Sequence, residues 1–366
     1  MAPRIFIIMA VFQPESAYLA AQIRSLADQT HAECHLVAVI ADTCSEALVA
    51  ATAAAAAPNL PLTLVPSDVP LDAVRAFEAG LSEALHLIDA EGLGEDAALI
   101  ALCDQDDIWH ADRLERGIAA LAASGADLVH SDARLVGPDG TTELHRSMFT
   151  FERRKKKPGL RGLLYRNNIT GMTTLMRPRL VRLALPFPPQ SGVHFYHDLW
   201  LGLLASATGG VHLIDAPLVD YRQHQSNVMG AIDRSRAKGP RWKRPDAMWM
   251  RKEATAYALA RYLGQSTYNR LSDAVTDGRL KHGEAKTAPL RPYLRRMRGM
   301  GTHLRDAFAL GLRGHAGLAR IAAGFAVVSA GRAIWSLREA FGPGLKSAID
   351  GFDTRLCRSS QRRMPR

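Results

Sequence analysis

The feature that most constrains the fold is an alternation of short apolar runs with longer amphipathic or alanine-rich stretches. Arg4 to Val11, Cys34 to Ala41, Leu62 to Val65 and Ala97 to Cys103 read as strands. Between them, Ser16 to Asp28, Ser45 to Ala57 and Asp72 to Ala90 read as helices, the first with Ser16 as its expected N-cap. A helix from about Ala111 to Ala123 and a strand from Asp127 to Ser131 continue the series. Such alternation predicts an α/β domain built on a mostly parallel, helix-covered sheet. Ligands bind such sheets beyond the carboxyl ends of the strands, where Phe12, Asp42 and Asp104 fall.

The last of these runs delivers an acidic cluster, Asp104-Gln105-Asp106-Asp107. Three carboxylates within four residues repel one another unless a cation or a donor-rich ligand lies between them, so a divalent metal carrying phosphate is a natural occupant. A solvated turn that caps the next helix is the other reading of these four residues, because Asp stabilises a helix N-terminus by itself.

Beyond residue 131 the pattern is less regular. Residues 132 to 170 are expected to be irregular, with Arg153 to Lys157 as an exposed, solvated charge run. A helix is expected over His197 to Ser206, then short strands over Val211 to Asp215 and Leu218 to Arg222. After Gly230 the sequence turns to basic, glycine-punctuated helices, which places a boundary at about 230 to 245. At 366 residues, more than one structural unit is expected. Charge follows the same division: residues 1 to 230 hold 18 Lys and Arg against 26 Asp and Glu, whereas residues 231 to 366 hold 28 against 10, a net +18. The basic part is where a polyanion or an anionic membrane surface would bind.

Four cysteines without Cys-x-x-Cys spacing suggest neither a zinc site nor a disulfide framework, and a reducing cytosol fits them. The apolar stretch at the N-terminus is too short for a signal sequence. The apolar segment Leu318 to Leu337 is interrupted by Arg320 and Arg332, which argues for a core or interfacial helix over a spanning one.

Five pieces occur in order: Ala10-Val11-Phe12-Gln13-Pro14, Ala41-Asp42, Asp104-Gln105-Asp106-Asp107-Ile108-Trp109, His197-Asp198-Leu199-Trp200, and Tyr221-Arg222-Gln223-His224-Gln225-Ser226-Asn227. Together they resemble family-2 glycosyltransferases of the GT-A fold, and in particular the bacterial rhamnosyltransferase-like branch with Asp-Gln-Asp-Asp-x-Trp. The resemblance covers residues 4 to 230. It implies a Rossmann-like GT-A domain over residues 1 to 230 followed by a basic helical region over residues 231 to 366. It also implies a metal-dependent inverting transfer from a nucleotide-sugar, with dTDP-rhamnose as the first donor to consider and a surface-glycan or lipid-linked acceptor.

Position by position, the resemblance assigns Asp106 to Mg²⁺ or Mn²⁺, with His224 reaching the same metal and Asp104 supporting it or facing the ribose. Ala10, Phe12 and Asp42 would line the base pocket, Arg222 would lie near the diphosphate, and Asp198 would be the general base. Each has a plainer use: core packing for Phe12, an N-cap for Asp198, a hydrogen-bonded residue for His224 and an ion pair for Arg222. Trp109 and Trp200 are expected to pack. Two departures stand out. Ala41-Asp42-Thr43-Cys44-Ser45 lacks one Asp and the turn Gly that relatives carry, and Asp72-Ala73-Val74-Arg75-Ala76 opens a helix where Gly and Arg-Asn are usual. They keep open a non-catalytic GT-A-like binding module; the basic C-terminal region also keeps open nucleic-acid binding. An enzyme that is cytoplasmic, or peripheral on the inner face of the membrane, is the expectation that fits these features together.

Overall fold

A computed structural model describes residues 2–190, 195–225, 230–234, 247–281, 283–294, 299–313 and 315–331. The boundary expected at about 230 to 245 lies largely outside them, as do Ser226, Asn227 and the end of the apolar segment beyond residue 331. The chain divides into two compact units. The first comprises residues 1–157, 168–187 and 196–237, and the second residues 158–167, 188–195 and 238–366.

The first unit opens with β1 (Arg4–Val11), α1 (Ser16–Ala27), β2 (Cys34–Ile40), α2 (Glu46–Ala56), β3 (Leu62–Pro66), α3 (Ala73–Ala90) and β4 (Ala98–Cys103). These strands lie parallel in the order β3-β2-β1-β4, with Met9 beside Cys103 and Val11 beside Ile40, so β1, β2 and β4 end at one edge. Every residue of β2 and β4 is buried, as continuous apolar strands covered on both faces require. Alternate residues of β1 serve the two faces. Ile5, Ile7, Met9 and Val11 pack with Leu19 and Ile23 of α1 and Val49 of α2, while Ile8 turns toward Gly80 of α3. Burying each such side chain contributes about 1.5–3 kcal/mol.

The helix boundaries follow local chemistry. Ser45 caps α2 by accepting from the Leu48 amide at 3.3 Å, and Asp72 caps α3 by accepting from the Arg75 amide at 2.9 Å. Ser16 does not cap α1: the capping position is Glu15, and its side chain makes no capping bond.

The second half of the sheet is mixed. β5 (Ile108–Trp109), α4 (Arg113–Ser124), β6 (Leu128–Val136), β7 (Glu143–His145) and α5 (Met148–Phe151) follow, and the 132–170 region is therefore not irregular throughout. β6 is longer than its apolar pattern suggests because it buries polar groups. Asp132, in the middle of the strand, accepts from the backbone amides of Ala133 and Phe149 and from the Ser147 hydroxyl. α6 (Gly159–Tyr165) belongs to the second unit, after which β8 (Thr174–Met176), α7 (Pro178–Ala184), α8 (His197–Ala207) and β9 (Val211–Arg222) complete the first. The two short strands expected near residue 215 are one 12-residue strand. Pro217 sits where the pairing of β9 with β6 slips, which is how a proline is accommodated in a strand. The order continues from β4 through β8, β6 and β9 to β5, and β9 runs parallel to β6. Of the charge run, Lys156 pairs with Asp215, and Arg154 bonds Glu152 at 3.0 Å and the Thr170 hydroxyl at 2.6 Å.

The described residues of the second unit form helices and their connections, with no strand among them. It contains α6, α9 (Ala247–Thr276), α10 (Arg291–Leu294), α11 (Gly299–Leu312) and α12 (Ala316–Gly331). An aromatic cluster fills its core: Tyr165, Tyr257, Tyr293 and Phe325 all stand within 6.0 Å, ring to ring, of His303. None of the described helices is long and apolar enough to cross a membrane.

Candidate active site

The site is assembled where β1, β2 and β4 end. Parallel pairing brings the residues just past each strand to one rim, and so places Phe12, Asp42 and Asp104 together as ends of adjacent strands. Ala10 is half-buried at the end of β1 and Asp42 is exposed beyond β2. Phe12 is not a core residue: it is 54% exposed. Its backbone is nevertheless fixed, because the Gln105 side chain accepts from the Phe12 amide at 2.8 Å and donates to the Phe12 carbonyl at 2.9 Å. The next residue, Gln13, has φ +41°, a left-handed conformation that a side chain makes costly and that surrounding structure must hold.

The acidic cluster divides by position. Asp104 and Asp106 are half-buried, whereas Asp107 is fully buried. Burial, then Asp106, then Asp198 push the Asp104 carboxyl up to about 7. Asp198 thus lies close enough for its charge to act on Asp104. Burial first, then Asp104 and Asp106, also drive the Asp107 carboxyl well above the usual carboxylate range. One Asp107 oxygen accepts from the Arg222 amide at 3.1 Å, and the other has no hydrogen-bond partner among the described residues. Asp107 therefore fastens the end of β9 to the cluster.

From the opposite side β9 brings Arg222, and His224 follows just beyond it. The Arg222 guanidinium donates to the carbonyls of Asp106 (2.8 Å) and Pro138 (2.7 Å) and lies 4.2 Å above the Tyr18 ring. His224 Nε2 and Asp106 Oδ2 are 2.9 Å apart, and the imidazole stands 5.2 Å from the same Tyr18 ring. These two side chains are the oxygen and nitrogen donors that could hold a divalent cation. Among the described residues no group of three or more such side chains is gathered at one point.

Asp198 lies in the first turn of α8, and Tyr196 occupies the capping position. The side chain accepts from the Leu199 amide at 2.7 Å and is nearly buried. Its neighbour His197 is packed 3.9 Å from the Phe77 ring, and a Cβ on Gly171 would stand 2.5 Å from its Nε2, so residue 171 must be glycine for α8 to begin where it does. Trp109 and Trp200 pack as expected, Trp109 beneath the Arg113 guanidinium at 3.4 Å and Trp200 donating to the Ala184 carbonyl at 3.0 Å. The departure at Asp72 has a structural explanation, since its carboxylate is used in capping α3.

Sequence reasoning gave no role to Gln105, to Asp107 as a separate residue, or to Tyr18. Tyr18 faces the rim from the first turn of α1, three residues after the capping position, and an aromatic in the first turn of the helix that follows β1 is a readable signal. The fastening by Asp107 depends on the return of β9, which local sequence does not show.

Residues 6–181 match the family model described as Glycosyl transferase family 2. This segment is a glycosyltransferase domain. It runs from within β1 to within α7 and holds the whole acidic cluster. Among solved structures, the chain is similar to S. aureus TarS residues 1–349. The complex with UDP-GlcNAc has 14% identity and a TM-score of 0.47, over 90% of this chain and 91% of that one. The complex with UDP has 14% identity and a TM-score of 0.48, over 90% of each. No curated protein matches the sequence.

Proposed function

We propose that this glycosyltransferase moves a sugar from a nucleotide-sugar to an acceptor hydroxyl with inversion, and that it depends on Mg²⁺ or Mn²⁺. The observation that carries this reading is the meeting of Asp106 and His224, 2.9 Å apart, beside Asp104 on the rim where β1, β2 and β4 end. Asp104 and Asp106 stand two residues apart at this rim, and a divalent cation would relieve their repulsion; the carboxylate oxygens suit Mg²⁺ or Mn²⁺, and the His224 imidazole favours the transition metal of the two. Asp106 and His224 would hold it, with Asp104 in support. When bound, the ion supplies neutralisation of the charge that develops on the departing diphosphate.

The protein's own residues do the rest. Phe12, clamped at its backbone by Gln105, offers an exposed ring beside Ala10 and Asp42 on which a base can stack. Asp198 takes the proton from the acceptor hydroxyl. That oxygen forms a bond to the anomeric carbon as the bond to the diphosphate oxygen breaks on the opposite face, and a nucleoside diphosphate leaves. Asp198 stands in the first turn of α8, at the positive end of the helix dipole. Arg222 serves by holding the Asp106 carbonyl in place. The first donor to consider is dTDP-rhamnose, and the acceptor is a surface glycan or a lipid-linked chain at the cytoplasmic face.

The test is release of nucleoside diphosphate from a panel of nucleotide-sugars with Mn²⁺ or Mg²⁺. Asp198→Asn should lower turnover by roughly 10²–10⁴ while leaving nucleotide binding in place, and Asp106→Ala should lose both. Full turnover by Asp198→Asn would remove the base assignment, and metal-independent turnover would remove the cation.

A further inference from the structure

The second unit carries a surface that the transfer reaction does not use. Leu304, Phe308 and Leu312 of α11 are 51%, 70% and 74% exposed. Their spacing of four puts them on one side of the helix as a continuous apolar ridge. The other side is anchored, since His303 is wholly buried in the aromatic cluster and α11 packs along α12. A rigidly seated helix that turns a Phe and two Leu outward marks an interaction surface.

The surroundings of the ridge are cationic. Arg305, Arg313 and Arg320 are exposed on α11, just after it, and on α12. Asp306 is the single carboxylate in residues 299 to 331, and it is turned inward, accepting from the Tyr165 hydroxyl at 2.8 Å and pairing with Arg161 at 2.9 Å. Residues 231 to 366 as a whole carry net +18. A polyanion would engage the arginines and leave the ridge in water. A surface that is apolar below and anionic above would take up both.

We propose that α11 lies in the headgroup layer of an anionic membrane, with Leu304, Phe308 and Leu312 reaching the acyl boundary and the three arginines against lipid phosphates. The inference supplies a membrane contact for the lipid-linked acceptor proposed above, but it rests on the second unit alone and stands or falls apart from the catalytic assignments.

The experiment is co-sedimentation of the full chain with vesicles of phosphatidylcholine alone or mixed with phosphatidylglycerol. The protein should pellet with the anionic vesicles at low salt and less so at high salt. Phe308→Glu with Leu312→Glu should weaken that binding about tenfold or more, and Arg305→Gln with Arg313→Gln and Arg320→Gln should do the same. Both variants should keep the helical circular dichroism and the nucleoside diphosphate release of the parent. Absence of anionic preference would overturn the proposal, as would a ridge variant that pellets like the parent. So would sedimentation equilibrium in which the ridge holds two copies together and no vesicle is bound. Loss of diphosphate release in the parent would count against the catalytic reading only.

Discussion

At the residue scale, buried ionisable groups tie the stability of the first unit to pH. His130 lies inside β6, packed 5.9 Å from the Phe149 ring, and one ring nitrogen has no partner among the described residues. Burial first, then Arg154 and His212, lower it to about 3. His197 is likewise lowered to about 3 by burial. A histidine lowered on folding gives stability that is complete above its unfolded value near 6.5 and declines as pH falls from there toward 3. Each of the two should cost about 2 kcal/mol between pH 7.5 and pH 5. Asp104, raised on folding, acts in the opposite sense over that range, so the test is the difference between variant and parent: in urea unfolding His130→Leu should lose about 2 kcal/mol less than the parent between the two pH values, and an equal change in both would mean that His130 is not buried neutral. Nothing in the sequence around His130 announces this, because a histidine between Val129 and Ser131 reads as an ordinary strand residue. That Asp106 and His224 meet could be expected from the order of their motifs, and they stand 2.9 Å apart. The exposure of Phe12 could not be expected, because an aromatic ending an apolar strand looks the same whether its ring turns in or out.

At the scale of elements, close approach of α3 to the sheet explains a glycine that helix propensity would disfavour. A Cβ on Gly80 would stand 2.3 Å from Ile8 Cγ2 and 2.9 Å from Val39 Cγ2. Both neighbours are β-branched residues of central strands and have little room to yield. Gly80→Ala should therefore destabilise by about 1–3 kcal/mol, measured by chemical unfolding, despite alanine's better propensity for helices. A stabilised variant would show that α3 stands further from the sheet. The α/β alternation through β4 was readable because apolar runs and helical stretches differ plainly in period. Reading failed from β6 onward, where buried polar residues such as Asp132 and a mid-strand proline, Pro217, break the apolar pattern. Those groups are satisfied by Ser147, by the Phe149 amide and by a register shift, all of which are tertiary and invisible to a local window.

For the whole molecule, charge was the most legible property and its use the least. The composition shift near residue 230 shows in a count of Lys, Arg, Asp and Glu, but the inward turn of Asp306 and the outward ridge of α11 do not. Binding to the folded chain alone raises its unfolding temperature with the logarithm of saturation. A nucleoside diphosphate with Mn²⁺ should thus raise the melting temperature of the parent, and dTDP should do so more than UDP or GDP if rhamnose is the sugar. Neither component alone should match the pair. A shift that survives in Asp106→Ala would separate nucleotide binding from the cation.

The fastening of β9 has a consequence for how this rim tolerates change. The Arg222 amide is held by Asp107, its guanidinium grips the Asp106 and Pro138 carbonyls, and His224 follows only two residues later. The imidazole inherits its place from that anchor with a single residue of slack. Adding or deleting one amino acid between positions 222 and 224 would swing the ring away from Asp106 while the sheet stayed whole, leaving a stable but idle protein.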